Sequence, residues 1–169
     1  MSGKNLSSFE RISCKKNTSN FLACLIAKSA KILIYNLPHL PIEPINNLIV
    51  FCSTIDELVV ALEKYNNFTI VVVFRTDKLA EVRPLLNRPS IDSVYIVRPD
   101  ENLDVAAEPW WQKTTVVCND KQLMRHLCTK SMLCYFNEGM EHRKNENMGL
   151  SNVCMMDSLR ALEYSAKFI

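Results

Sequence analysis

Four short runs without a charged residue, Leu48-Ile49-Val50-Phe51, Thr69-Ile70-Val71-Val72-Val73-Phe74, Val94-Tyr95-Ile96-Val97 and Thr114-Thr115-Val116-Val117-Cys118, recur along the chain with room for helices between some of them. A strand covered by helices on both faces has no solvent side, so it reads as an unbroken β-branched run and not as an alternation. The runs therefore predict buried parallel strands. Ile32-Leu33-Ile34-Tyr35 adds a strand ahead of them, closed by Asn36-Leu37-Pro38 and then by Pro41 and Pro44, which neither continue a helix nor fit a central ladder. The irregular stretch from Leu37 to Asn47 predicts an absent or very short crossover helix. On that reading the first strand is an edge, or residues 48–51 pair beside it antiparallel.

Helical periods fill the gaps. Ser53 or Thr54 is placed to cap a helix whose first turn carries Asp56 and Glu57, and whose inward stripe is Leu58, Ala61, Leu62 and Tyr65. Thr76 or Asp77 caps the next, with Leu79, Val82 and Leu86 inward, Pro84 restricting its middle and Pro89 stopping it. Residues 101–113, which include Pro109, have no period and are expected to wrap the surface. Asn119 or Asp120 then caps a long helix through Leu123, Leu127, Met132, Leu133 and Phe136, interrupted at Gly139 and again over 143–149. Residues 150–168 complete a helical hairpin. The predicted fold class is α/β, three layers around a mostly parallel five-stranded sheet with a C-terminal helical hairpin. Its organisation is a flexible arm (1–29), an α/β domain (30–130) and the hairpin appendage (131–169).

Composition narrows the function classes. A length of 169 residues suits one domain plus an appendage, and a net charge of +2 supplies no field to gather nucleic acid or an anionic membrane. The apolar segment Phe21–Ala27 is too short to span a bilayer and is expected to cap the domain; Arg11 as the arm's sole arginine argues against an organelle transit sequence. Seven cysteines, an odd number with no secretory signal, fit a reducing cytoplasmic setting, with Cys52 and Cys118 at strand ends as small core residues. The pairs Cys14/Cys24 and Cys128/Cys134 lack the short spacing of a zinc turn, so no metal is expected.

In an open parallel sheet, ligands bind beyond the carboxyl ends of the strands. No glycine follows any run, and the chain's three glycines are Gly3, Gly139 and Gly149, so no loop can cradle a phosphate and no nucleotide cofactor is expected. Asp77, Asp100 and Asp120 stand near strand ends and define the enzyme alternative, a small hydrolase or transferase with an acidic site. Capping and neutralisation by Arg75 and Arg98 account for the same residues. Of the three histidines, His39, His126 and His142, His126 would need Cys118, Cys128 or Cys134 beside it to form a nucleophilic pair, and an ordinary surface histidine is the simpler reading. Trp110 and Trp111 cannot both point into one core from a polar loop; one is expected to pack and the other to meet a partner, as aromatic hot spots do. The Met- and Leu-rich hairpin either packs back on the sheet or docks elsewhere.

The order of elements over residues 30–130 resembles the receiver-like, flavodoxin-like fold. Receivers carry paired acids after the first strand, a phosphoacceptor Asp after the third, Ser or Thr after the fourth and Lys after the fifth. Here Asn36, Arg75, Arg98 and Asn119 occupy those places, so the resemblance implies a degenerate receiver without nucleophile or magnesium cluster. The layout also resembles degenerate modules preceding tetratricopeptide or ADP-ribosyltransferase regions in multidomain proteins. The hairpin, with Gly139, Leu159 and Ala161, resembles a single tetratricopeptide helix pair. These resemblances imply a non-catalytic protein-interaction or regulatory module, a fragment of a longer protein, that binds a protein partner or self-associates through the hairpin.

Overall fold

The computed structural model describes residues 29–37, 40, 43–97 and 108–169. Five strands form its sheet: β1 Ala30–Tyr35, β2 Ile49–Cys52, β3 Thr69–Arg75, β4 Ile91–Val97 and β5 Thr114–Val117. Their order is β2-β1-β3-β4-β5 and every neighbouring pair is parallel. The helices are α1 Ile55–Lys64, α2 Leu79–Val82, α3 Asp120–Lys144 and α4 Met148–Ser165.

Both expectations for the first strand are overturned. β1 lies inside the sheet, and β2 runs parallel to it with Ile32 opposite Ile49 and Tyr35 opposite Cys52. A parallel return needs about a dozen residues, not a long helix. Residues 36–48 provide that length, and a single 3-10 segment, Glu43–Leu48, makes the turn.

Side chains alternate across the strands. Ile32, Ile34, Val71, Val73, Tyr95 and Val97 face α3, Ala161 of α4 and the 3-10 segment. Leu33, Tyr35, Ile70, Val72, Phe74, Val94 and Ile96 face α1 and α2. Among the described residues neither the β1–β2 nor the β4–β5 connection contributes an α-helix, and other parts of the chain pack on the faces beside them. On the first face Ile45 and Leu48 join Ala161, with Tyr164 and Phe168 packed behind. On the second, Trp110 supplies from one side chain the apolar bulk that a helix between β4 and β5 would give.

Pro84 confines the second predicted helix to the short α2, flanked by 3-10 turns at Thr76–Lys78 and Arg83–Leu85. Gly139 does not interrupt α3, contrary to the sequence reading. It is buried where α4 crosses, and a Cβ there would lie 3.2 Å from Cys154 Cβ, Met155 Cε and the Ser151 carbonyl oxygen. Glycine's propensity cost of about 1 kcal/mol is offset by the close helix contact it permits. α3 runs unbroken past residue 130: its first half covers the sheet through Leu123, Met124 and Leu127, and its second half pairs with α4.

Where β3 and β4 shift register, Asp92 projects and meets Lys130 of α3 at 2.7 Å, with Ser93 Oγ donating at 2.5 Å. Partial burial pushes the Asp92 carboxyl up, but the Lys130 and Ser93 hydrogen bonds outweigh it and hold the group below its ordinary value. A depressed folded-state value means stability that is present above the ordinary carboxylate range and lost as pH falls through Asp92's own value. Asp92→Asn is expected to cost about 0.5–1 kcal/mol near pH 6 and progressively less as pH falls through Asp92's own value, read from urea midpoints along a pH series.

Candidate functional site

The carboxyl edge of the sheet is where a ligand would bind, and among the described residues the backbone donors that follow β1, β2 and β5 are engaged within the chain. Thr54 Oγ1 accepts from the Glu57 N–H at 3.2 Å, while the Ser53 N–H donates to Glu57 Oε2 at 2.7 Å. The end of β5 repeats the device: Asn119 Oδ1 accepts from the Gln122 N–H and the Cys118 N–H donates to Gln122 Oε1, each at 2.8 Å. Both are reciprocal caps in which helix and preceding loop satisfy each other's orphan groups. After β1, Asn36 takes the left-handed conformation (φ 54°) and its N–H donates to the Cys52 carbonyl at 3.0 Å. A shallow cleft of about 190 Å³ remains, lined by Asn36, Leu37, Phe51 and Cys52 among others.

The charged residues at this edge neutralise one another. Arg75 Nε is 3.2 Å from Asp77 Oδ1. Beside the junction of β1 and β3, the Tyr35 hydroxyl donates to Glu81, which also holds Lys78 at 2.8 Å. Lys78 foremost, then Tyr35, keeps the Glu81 carboxyl below its usual range. Asp120 opens α3. Asp100 and Arg98 lie outside the described residues, as does His39.

Cys52 and Cys128 are poor nucleophiles. Burial first, and then the Glu57 carboxylate, pushes Cys52 up to about 11; burial alone does the same to Cys128. His126 leans on the Tyr95 ring, with centroids 5.8 Å apart.

Trp110 and Trp111 sit in the 3-10 segment Pro109–Lys113 with their rings edge to face at 5.9 Å. Trp110 is 1% exposed within the core, and Trp111 packs against the same cluster while remaining partly exposed. Their turn is fastened at both ends. Glu108 pairs with Arg83, Lys113 Nζ donates to the Ile91 carbonyl at 2.7 Å, and Thr114 Oγ1 donates to the Trp110 carbonyl at 3.0 Å.

The largest unpaired chemistry is on the hairpin. Apart from Phe51 and Val60, every large apolar side chain exposed among the described residues belongs to residues 133–169. Leu133 and Phe136, which periodicity places inward, are each 47% exposed. With Met140 they form one i, i+3, i+7 stripe, on the side of α3 opposite Leu123, Met124 and Leu127. Met148, Leu159 and Leu162 form the matching stripe on α4, and Leu150, Val153 and Met156 add a further apolar flank. α4 thus carries exposed apolar side chains on both flanks, interspersed with the exposed Asn152, Arg160 and Glu163. Inside the hairpin, contacts are small and polar: Ser131, Ser151 and Ser158 are buried, and Ser158 Oγ donates to the Met132 carbonyl at 3.0 Å.

No protein-family model, curated protein or solved structure matches the chain. Sheet order and helix placement define it as an α/β protein with a five-stranded parallel sheet, consistent with the flavodoxin-like fold, extended by a C-terminal helical hairpin. Among the described residues no helix is long and apolar enough to cross a membrane.

Proposed function

We propose that the chain is a non-catalytic protein-interaction module, a degenerate relative of receiver-like domains, that pairs with a second copy of itself through the outer face of the α3/α4 hairpin. The observation that carries this reading is the concentration of half-exposed Leu, Phe and Met on one side of the hairpin. Contiguous exposed apolar surface of this kind marks interaction sites in soluble proteins. The capped and self-neutralised strand ends support a role without chemistry at the sheet edge. Trp111 is the partly exposed member of its pair, and it is the residue of the 101–113 loop proposed for a second, peripheral partner contact.

A second copy suits the face because an apolar stripe shared by two antiparallel helices can be buried against itself across a two-fold axis. Burying the half-exposed Leu133, Phe136, Met140, Met148, Leu159 and Leu162 returns about 1 kcal/mol each, or roughly 12 kcal/mol for two copies. Loss of rotational and translational freedom takes several kcal/mol of this, leaving a dimer in the micromolar range.

Sedimentation velocity over about 1–100 μM tests the reading. A concentration-dependent dimer is expected, shifted to monomer by Phe136→Glu with Leu159→Glu and unaffected by Val60→Glu on α1, which covers the opposite face of the sheet. A wild-type chain that stays monomeric throughout, or a dimer that ignores the hairpin substitutions, overturns it.

A further inference from the structure

Near the turn of the hairpin, α3 and α4 bring together three side chains with the chemistry of metal ligands. Glu138 and His142 stand at i, i+4 on α3 and so share one face, and Cys154 reaches them from α4. The carboxylate oxygen, imidazole nitrogen and thiol sulfur all lie within 4.8 Å of one another. His142 Nε2 is 4.0 Å from Glu138 Oε1. The missing side chain at Gly139, between the two α3 residues, lets Cys154 approach.

In a tetrahedral site with bonds of about 2.0–2.3 Å, ligand atoms stand about 3.3–3.7 Å apart. The cluster therefore closes on an ion by shifts of about 1 Å or less, within reach of side-chain rotation. All three residues are partly exposed, so an ion enters from solvent without opening the hairpin. Ser29 Oγ, 3.4 Å from Glu138 Oε1, stands where an outer partner would orient the carboxylate.

A set of sulfur, imidazole and carboxylate selects against magnesium and calcium, which take oxygen alone.

We propose that Glu138, His142 and Cys154 form a site for a zinc-class divalent transition metal that staples α3 to α4, with water completing the coordination. Cys154 gives its proton to solvent as the metal–sulfur bond forms, and no redox change is involved. The site stands independently of the dimer reading, because its ligands come from one copy.

The test titrates the full chain with cobalt(II) as a spectroscopic probe and then competes with zinc. One equivalent of cobalt is expected to bind with thiolate-to-metal charge-transfer absorption, and zinc is expected to displace it. Cys154→Ser should abolish that absorption, whereas Cys118→Ser should leave it intact. His142→Ala and Glu138→Gln should each weaken zinc binding by at least about tenfold, the loss that even an outer partner costs. Far-ultraviolet circular dichroism checks folding; should Cys154→Ser fail to fold, the two variants at partly exposed α3 positions decide. Absence of the charge-transfer band, its persistence in folded Cys154→Ser, or unchanged zinc affinity in both α3 variants overturns the proposal.

Discussion

Trp110→Ala is expected to lower the stability of the fold by about 3–5 kcal/mol, a large share of the 5–15 kcal/mol that holds an ordinary domain together. Trp110 is among the largest fully buried side chains, and it fills the side of the sheet where the β4–β5 connection brings no helix among the described residues. Few neighbours can collapse into the space, because its turn is tied down by the Glu108–Arg83 pair and by Lys113 on the Ile91 carbonyl. Urea denaturation should show a lower midpoint at unchanged slope. Trp110→Phe keeps most of the ring volume and should lose less than half as much. Trp111→Ala removes a partly exposed ring and should cost about 1 kcal/mol. Equal losses at Trp110 and Trp111 would refute the division of labour between them. It follows that partner contact in this loop is to be tested with Trp111→Ala alone, since replacing Trp110 as well would also remove part of the core.

Gly139→Val is expected to destabilise the hairpin by about 1–3 kcal/mol, although valine is the better helix former. A Cβ at 139 already meets Cys154 Cβ and the Ser151 carbonyl at 3.2 Å. The Met155 methyl can swing aside, but backbone oxygen and Cβ cannot. Gly139→Ala should be close to neutral, with about 1 kcal/mol of gained propensity set against that tight contact. Valine's extra methyls force the helices apart. Hydrogen exchange should quicken along α4 while the β3 amides keep their protection, because the strain falls on the helix pair and not on the sheet. A Val variant as protected as the wild type would show that helix separation is not set at this glycine.

The strands were legible because their signal is local. All the apolar runs appear as β-strands, their ends displaced by a few residues; β3 and β4 are buried from both sides as their runs predict, whereas the runs of β2 and β5 form partly exposed edge strands. The caps at Thr54 and Asn119 were legible for the same reason, since a cap involves residues only three apart. Pairing at β1 was misread because the proline-bearing stretch after it was taken to rule out a parallel neighbour; only closure of the sheet shows that one 3-10 segment is long enough. Gly139 was misread because propensity counts what a glycine loses in its own helix and not what it grants to a second one.

The candidate surfaces divide in the same way. Periodicity marked Leu133 and Phe136 as apolar positions of a helix, but a period of 3.6 cannot say whether the marked face has anything to pack on. The i, i+4 pair Glu138 and His142 was present in the sequence, yet its third member belongs to the next helix, and no spacing rule joins them. By itself, then, the sequence determined the α/β class, the strands and the principal helices, all properties of neighbouring residues. Only the tertiary structure decided that β1 is internal, that Trp110 is the member of its pair buried in the core, which side of the hairpin faces solvent, and that Cys154 meets His142. Each of those depends on contacts between distant segments, which form only when burial of the whole core offsets the entropy of bringing them together.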